Sequence, residues 1–346
     1  MSMYYDYDKL MSRDFLIAFL VGERGVGKTY GAKKFVLNRW LKTNGDEEFM
    51  YVRRYKTELD SSLATFWNDL QANDCFKDHD LRVYKSKILT KFTCDGKVCG
   101  YAVPLSTSNI LKSTSFPKVK YIIFDEYLLR PGGLYKYMKN EISYFLDLIE
   151  TTFRLKSGKV LMLGNNVGTF ASPYFSFWNL DISDGKEFKS YKDGAILVHY
   201  IKNEEYREKK RQTKFGKLVE GTEFGRMAIE NEDASVNNMF IAKRPEKSSF
   251  RALLIINGFK IGLWYGKDNF LYMSEKYEPN TNNKFALDYT DHTESTIFTS
   301  ARENIYLNMC VHAYKYGWLK FESEKVKANA ITLLNKCISF WYNMVR

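Results

Sequence analysis

The stretch Phe15-Leu16-Ile17-Ala18-Phe19-Leu20-Val21, continued by Gly22-Glu23-Arg24-Gly25-Val26-Gly27-Lys28-Thr29, decides how this chain is read. Its first half is an unbroken apolar run of strand length, and its second half fits G-x-x-x-x-G-K-[ST] in full. From Thr29 to Lys42, Ala32, Phe35, Val36 and Trp40 return at helical spacing. Strand, glycine-rich turn and helix in that order make a phosphate-binding loop. The glycines let successive backbone N–H groups face one point at a helix N-terminus, an anion nest built from the main chain. Lys28 would reach the β- and γ-phosphates of ATP, and the Thr29 hydroxyl would ligate Mg²⁺. An accidental glycine-rich turn is the competing reading, and the position between strand and helix argues against it.

Hydrolysis needs a carboxylate on a neighbouring strand. Tyr121-Ile122-Ile123-Phe124-Asp125-Glu126 is an apolar run that ends in two acids. Asp125 would hold Mg²⁺, largely through water, and Glu126 is then placed to polarise the attacking water. A further strand around Lys159 carries Leu163-Gly164-Asn165, and an amide at its tip would sense the γ-phosphate or position the water. A turn-forming asparagine is the alternative. Phosphoryl transfer also needs a cation for the developing charge. Arg154, after the helical segment Glu141–Phe153, and Arg24, inside the loop, are the candidates. For Arg154 the alternative is a cation complementing the helix dipole.

Short apolar runs alternate with helical segments from residue 15 to about 200. Strands are expected at Phe15–Val21, Phe49–Tyr55, Val119–Phe124, Lys159–Leu163 and Ala195–Ile201, and helices at Thr29–Lys42, Glu58–Gln71 and Glu141–Phe153. A hairpin is expected over Ile88–Leu105 about Asp95-Gly96. Near-continuous apolar strands of this kind form a parallel sheet covered on both faces. A basic segment, Arg207–Lys217, and a glycine-spaced stretch follow. Then come a meander over Phe250–Ile256, Gly258–Tyr265 and Phe270–Ser274 and helices near Ser295–Tyr314 and Glu324–Tyr342. The expected division is an α/β ATPase domain over 1–202, a linker subdomain over 203–235 and a smaller α+β domain over 236–346. No internal repeat is visible.

With 346 residues and 45% hydrophobic content the chain can build two cores, and a 16% aromatic share argues against long disordered tails. The net charge of +11 is spread over both halves and suits a polyanionic partner without naming it. Arg53-Arg54-Tyr55-Lys56 and the stretch from Arg130 to Lys139 follow strand ends, where ligand-facing loops of parallel sheets lie. They would track a phosphate backbone or be solvated surface charge. The apolar run before the loop is too short to span a bilayer and follows acids rather than a basic leader, so no membrane association is expected. The five cysteines and four histidines lack metal-ligand spacing, and the cysteines read as free thiols of a reducing cytosol.

Together, Gly22–Thr29, Tyr51-Val52-Arg53-Arg54-Tyr55-Lys56, Ile123-Phe124-Asp125-Glu126, Phe153-Arg154, the segment from Lys214 to Gly225 and Asn257-Gly258-Phe259 resemble the DNA-packaging ATPase of small tailed phages of the Picovirinae type. The resemblance spans most of the chain and is densest over 15–165. It implies an additional-strand (ASCE) P-loop ATPase in a homomeric ring, a pentamer. The ring would sit at the portal of an empty capsid in the host cytoplasm and drive double-stranded DNA inward. It implies Glu126 as the catalytic acid, Arg154 acting in trans on the neighbour's ATP, Lys112 near that interface, and Lys56, with Arg130, near DNA. The C-terminal domain resembles the RNase H-like nuclease of larger packaging proteins. Such a nuclease needs carboxylates on its central strands, and the hairpin Leu253–Ile256 to Ile261–Trp264 has none. A nuclease-inactive domain that docks on the portal protein and a structural packaging RNA is therefore expected. The reading from another class is a P-loop nuclease or helicase working without a capsid.

Overall fold

The computed structural model describes residues 5–86, 89–130, 133–169, 172–182, 185–229, 240–299 and 303–342. The boundary expected at residues 235 and 236 and the Pro131-Gly132 step of the basic loop lie outside these. The chain forms two compact units: Met1–Val167 with Ile182–Ala234, and Gly168–Asp181 with Ser235–Arg346.

In chain order the first unit contains α1 (Tyr7–Met11), β1 (Ile17–Gly22), α2 (Lys28–Lys42), β2 (Glu48–Arg53), α3 (Lys56–Leu63), α4 (Asn68–Ala72), β3 (Leu81–Tyr84), β4 (Thr90–Cys94), β5 (Lys97–Pro104), β6 (Val119–Asp125), α5 (Glu141–Phe153) and β7 (Lys159–Asn165). After α6 (Pro173–Trp178), which belongs to the second unit, come β8 (Phe188–Tyr191), β9 (Ile196–Ile201), α7 (Glu204–Gln212), α8 (Lys214–Val219) and α9 (Glu223–Ala228). The sheet order is β3-β4-β5-β2-β6-β7-β1-β9-β8. Strands β5, β2, β6, β7, β1 and β9 are parallel, and the antiparallel β3, β4 and β8 close the edges. Every residue of β1 and β2 is buried, as strands covered on both faces require. Strand β7 separates the loop-bearing β1 from β6, which ends at Asp125. That is the additional-strand order the resemblance implies.

Two expectations about this unit change. The helix expected over Glu58–Gln71 breaks into α3 and α4, because the consecutive aromatics Phe66 and Trp67 both insert into one ring cluster. Phe66 stacks on Phe92 at 4.2 Å and Trp67 packs edge-on to Phe92 at 5.5 Å. A continuing helix would turn adjacent side chains about 100° apart. There is also a short repeat. Thr213 and Thr222 each cap a helix by accepting from the N–H three residues on, at Gly216 and Gly225 (2.9 and 3.0 Å). Each of those glycines lies against a carbonyl of the preceding helix, where a Cβ would come within 2.0 Å of Lys210 O or Val219 O. Thr-x-Phe-Gly-Lys and Thr-x-Phe-Gly-Arg thus recur nine residues apart, and Phe215 and Phe224 meet edge-on at 6.0 Å. The Asp95-Gly96 turn forms as expected, both residues left-handed, and Asp95 accepts from the backbone N–H of Asp80 while pairing with His79 Nδ1 at 2.7 Å.

The second unit contains β10 (Ser249–Ile256), β11 (Phe259–Tyr265), β12 (Leu271–Ser274), β13 (Lys284–Ala286), β14 (Ile297–Phe298), α10 (Ile305–Lys315), β15 (Leu319–Phe321) and α11 (Glu324–Tyr342). The meander β10-β11-β12 turns at Asn257-Gly258, both left-handed, and is extended by parallel strands into the order β14-β13-β10-β11-β12-β15. None of these six strands carries an Asp or Glu. The first helix begins ten residues later than expected. Ile297–Phe298 pairs with β13 instead, and Asn304 Oδ1 caps the helix by accepting from Tyr306 and Leu307 N–H.

Candidate nucleotide site

The parallel order sets the C-terminal tips of β2, β6, β7 and β1 side by side. Gly22 lies opposite Asn165, Asp125 opposite Leu163, and Val52 opposite Phe124. Gly25 and Gly27 take φ of +95° and +81°, which curls the loop into α2 with Gly27 as N-cap. Ligands of open parallel sheets bind in this crevice. Two adjoining cavities of about 230 and 810 Å³ occupy it, sharing Arg24, Thr29, Asp125, Glu126 and Asn165 among their walls.

Lys28 is buried and bent back on its own loop. Its Nζ donates to the carbonyls of Glu23 (2.6 Å) and Gly22 (3.1 Å) and to Asn165 Oδ1 (3.2 Å). Burial draws its pKa down from 10.5 to about 8, partly opposed by the charges of Asp125 and Glu23. The Thr29 hydroxyl donates to Asp125 Oδ1 at 2.9 Å. Asp125 Oδ2 accepts from Tyr51 OH (2.8 Å) and Arg53 Nη1 (3.3 Å), and Arg53 Nη2 donates to Glu126 Oε2 at 2.7 Å. Burial and the adjacent Asp125 push Tyr51 well above its ordinary pKa, so it remains a donor.

A hydroxyl and a carboxylate oxygen already in contact, both hard oxygen donors, fit a small divalent ion such as Mg²⁺. The curled N–H groups and Lys28 fit a chain of phosphates. Glu126, more than half exposed, projects into the same crevice from a backbone with φ +55°.

Comparisons with known proteins place the chain in a family. The family model "Podovirus DNA encapsidation protein (Gp16)" matches residues 1–338. The chain belongs to this family. As a Gp16-family member it is a DNA encapsidation protein of the phage packaging motor. The DNA packaging proteins of Bacillus phage PZA and Bacillus phage phi29 are each 33% identical over 337 residues, covering 97% of this chain and 98% of theirs. A chain of the bacteriophage phi29 viral genome packaging motor assembly superimposes with a TM-score of 0.74 at 33% identity, over 97% of this chain and 100% of that one. The N-terminal domain of the phi29 DNA packaging ATPase, a crystal structure, matches at 36% identity with a TM-score of 0.51, over 59% of this chain and 100% of its own.

Of the residues singled out in the sequence, this Gp16-family fold brings together Gly22, Glu23, Arg24, Gly25, Val26, Gly27, Lys28, Thr29, Asp125, Glu126 and Asn165. Arg154 stands apart. It is exposed, caps the far end of α5, and is not among the described residues lining either cavity. Lys112 pairs with Asp147 of the same helix at 2.9 Å, both half exposed. Lys56 is exposed at the start of α3, and Arg130 is exposed on the wall of the larger cavity.

Arg53 and Arg54 are neither backbone-tracking nor solvated. They are 9% and 1% exposed, held by acids distant in sequence. The sequence reading also missed α7 on the loop. Arg207 Nε donates to buried Glu23 Oε1 at 2.6 Å, joined by the Asn203 N–H at 3.2 Å. Even so, burial keeps the Glu23 pKa above its ordinary value. Tyr206 lies directly over Gly25, where a Cβ would come 2.0 Å from its hydroxyl.

Proposed function

We propose that this chain hydrolyses ATP with Mg²⁺ at the subunit interfaces of a homomeric ring, a pentamer, and so translocates double-stranded DNA into a preformed procapsid. The observation that carries the reading is the convergence of Lys28, the Thr29–Asp125 pair and Glu126 on one crevice beside the inserted β7. In this reading the loop N–H groups and Lys28 hold the β- and γ-phosphates, which requires Lys28 to leave the carbonyls of Gly22 and Glu23. Thr29 and Asp125 hold Mg²⁺, which offsets phosphate charge when bound. Glu126 accepts the proton of the attacking water once its hold on Arg53 loosens, and Asn165 orients that water or the γ-phosphate. Arg154 serves the neighbour's site, with Lys112 beside it through α5; its absence from the described lining of its own subunit's cavities supports that role. Lys56 and Arg130 face DNA.

The unit that includes residues 236–346 is read as a docking domain for the portal protein and a structural RNA, with 203–235 connecting it to the ATPase, and the ring as working at the portal vertex in the host cytoplasm. Strands without any carboxylate support a nuclease-inactive role and weigh against the nuclease alternative. The test is phosphate release from assembled rings. Arg154→Ala should be inactive alone and partly rescued by mixing with Glu126→Gln subunits. Wild-type turnover by Arg154→Ala rings would sink the trans assignment, and Mg²⁺-dependent plasmid cleavage would favour the nuclease.

A further inference from the structure

Arg54 is among the largest fully buried side chains of the described residues, and its guanidinium reaches the turn that carries Glu126. Its Nε and Nη2 grip Glu141 Oε2 and Oε1 at 2.8 and 2.9 Å, a two-pronged pair with both side chains at most 1% exposed. Nη2 also donates to Tyr127 O at 2.6 Å, and Nη1 to Glu126 O at 3.4 Å. The ring of Tyr137 lies 4.9 Å from the guanidinium on another side. One planar cation therefore holds the carbonyl of Tyr127 and the one before it, that of the Glu126–Tyr127 peptide.

That peptide needs holding. Glu126 sits at φ +55°, a left-handed conformation that costs any residue with a side chain free energy and persists only where surrounding contacts impose it. Asp125 ends β6 with regular pairing to β7, so the chain must turn out of the sheet within one residue for the carboxylate to enter the crevice. Glu141 plays a second part. Asn140, the N-cap of α5, makes no side-chain cap, and Glu141 Oε2 accepts instead from Met138 N–H at 2.9 Å. The carboxylate that orients Arg54 is thus built into the first turn of the helix that ends at Arg154.

We propose that Arg54 and Glu141 are positioning residues for hydrolysis. Their buried pair locks the left-handed turn that aims Glu126, and ties its aim to the start of α5. Neither touches nucleotide. The inference rests on the proposed ATPase reading of this crevice.

The experiment measures steady-state phosphate release, nucleotide affinity and nucleotide-binding stoichiometry on the full chain with double-stranded DNA present. It compares wild type, Glu126→Gln, Arg54→Lys and the double variant Arg54→Met/Glu141→Leu. The double variant guards against misfolding, because replacing both partners of a buried ion pair by apolar side chains of similar volume is commonly tolerated, whereas removing one is not. Lysine keeps the charge but cannot fork onto a carboxylate and two carbonyls. Displacing a reacting group by about 1 Å costs on the order of 100-fold, so both variants should lose about 10- to 100-fold in kcat. Affinity should stay within about twofold of wild type and stoichiometry should be unchanged. If the double variant turns over at the wild-type rate, or if kcat falls only in step with stoichiometry, the pair is merely structural and the proposal fails. If wild type releases no more phosphate than Glu126→Gln, the ATPase reading itself fails and takes the proposal with it.

Discussion

Substituting Gly25 by alanine tests whether α7 rests on the phosphate loop. Gly25 stands at φ +95°, where a side chain is strained at a cost of about 1–2 kcal/mol. The new Cβ would also come 2.0 Å from the Tyr206 hydroxyl and 3.0 Å from its ring carbon Cζ. Tyr206 cannot simply swing away with its backbone, because Arg207 is anchored to buried Glu23. Overpacking of this sort costs about 1–3 kcal/mol. The total, about 2–5 kcal/mol, corresponds to a fall in Tm of about 4–20 °C for a domain of 150–250 residues. The two parts separate in a double-mutant cycle read by urea unfolding. Tyr206→Ala removes the collision but not the backbone strain, so in its background Gly25→Ala should cost at least 1 kcal/mol less. Additivity within about 0.5 kcal/mol, the behaviour of sites that do not touch, would refute the placement of α7.

Other expectations follow from the same geometry. Lys28 titrates near 8 in the folded protein against 10.5 for the free side chain, so between those values the unfolded chain binds the extra proton and this group's burial penalty is relieved as pH rises. Phosphate binding should pull the Lys28 pKa back up. Nucleotide affinity should therefore fall as pH climbs above about 8, with proton uptake on binding measurable by calorimetry in buffers of different ionisation enthalpy, and Lys28→Met should abolish both. Arg207→Met leaves Glu23 buried and unpaired and should destabilise the first unit by about 3 kcal/mol at neutral pH. Because the Glu23 pKa is raised above 4.5, that cost should grow as pH rises from 4.5 through the raised value, and Glu23→Gln in the same background should remove the pH dependence. Thr29→Ala and Asp125→Asn should each lower Mg²⁺-dependent phosphate release by at least about 100-fold while leaving the fold intact by circular dichroism.

How much of this the sequence discloses depends on how local the cause is. The loop, the Asp125-Glu126 pair, Asn165 and α5 were legible because each is specified within a dozen residues: a glycine pattern, an apolar run ending in acids, a 3.6-residue period. Arg53 and Arg54 were not. Two consecutive arginines after a strand look like a surface patch until Asp125, Glu126 and Glu141, 72 to 87 residues further on, are known to face them. The Glu23–Arg207 pair spans 184 residues and has no local signature at all. The tandem caps at Thr213 and Thr222 escaped for a different reason. Their identity lies in the capping threonine, phenylalanine, glycine and cation of a nine-residue period, with the rest free to vary. In the second unit, period and composition placed the meander and α11, but Ile297–Phe298 reads equally as helix or strand until β13 is there to pair with it.

The charge arrangement of the crevice bears on the proposal that a neighbouring subunit completes the site. Among the described residues on the cavity walls the cations are Arg24, Lys28, Lys33, Arg53 and Arg130; Lys33 is committed to Asp69, and Arg53 to Asp125 and Glu126. Drawing Arg53 onto a transferred phosphoryl group would strip the buried Asp125 of its partner and release Glu126 at the same moment. Arg53 is thus both a cation of this crevice and the residue that restrains the acid. Arg24 is exposed on the walls of both cavities, with Lys210 near enough to feel its like charge. In the proposed ring, a neighbouring subunit's arginine would add to the cation that phosphoryl transfer requires where charge develops, leaving Arg53 on Asp125 and Glu126. An exposed arginine at the end of α5, outside its own cavities yet on the helix whose first residue orients the turn of Glu126, suits a donor to the next subunit.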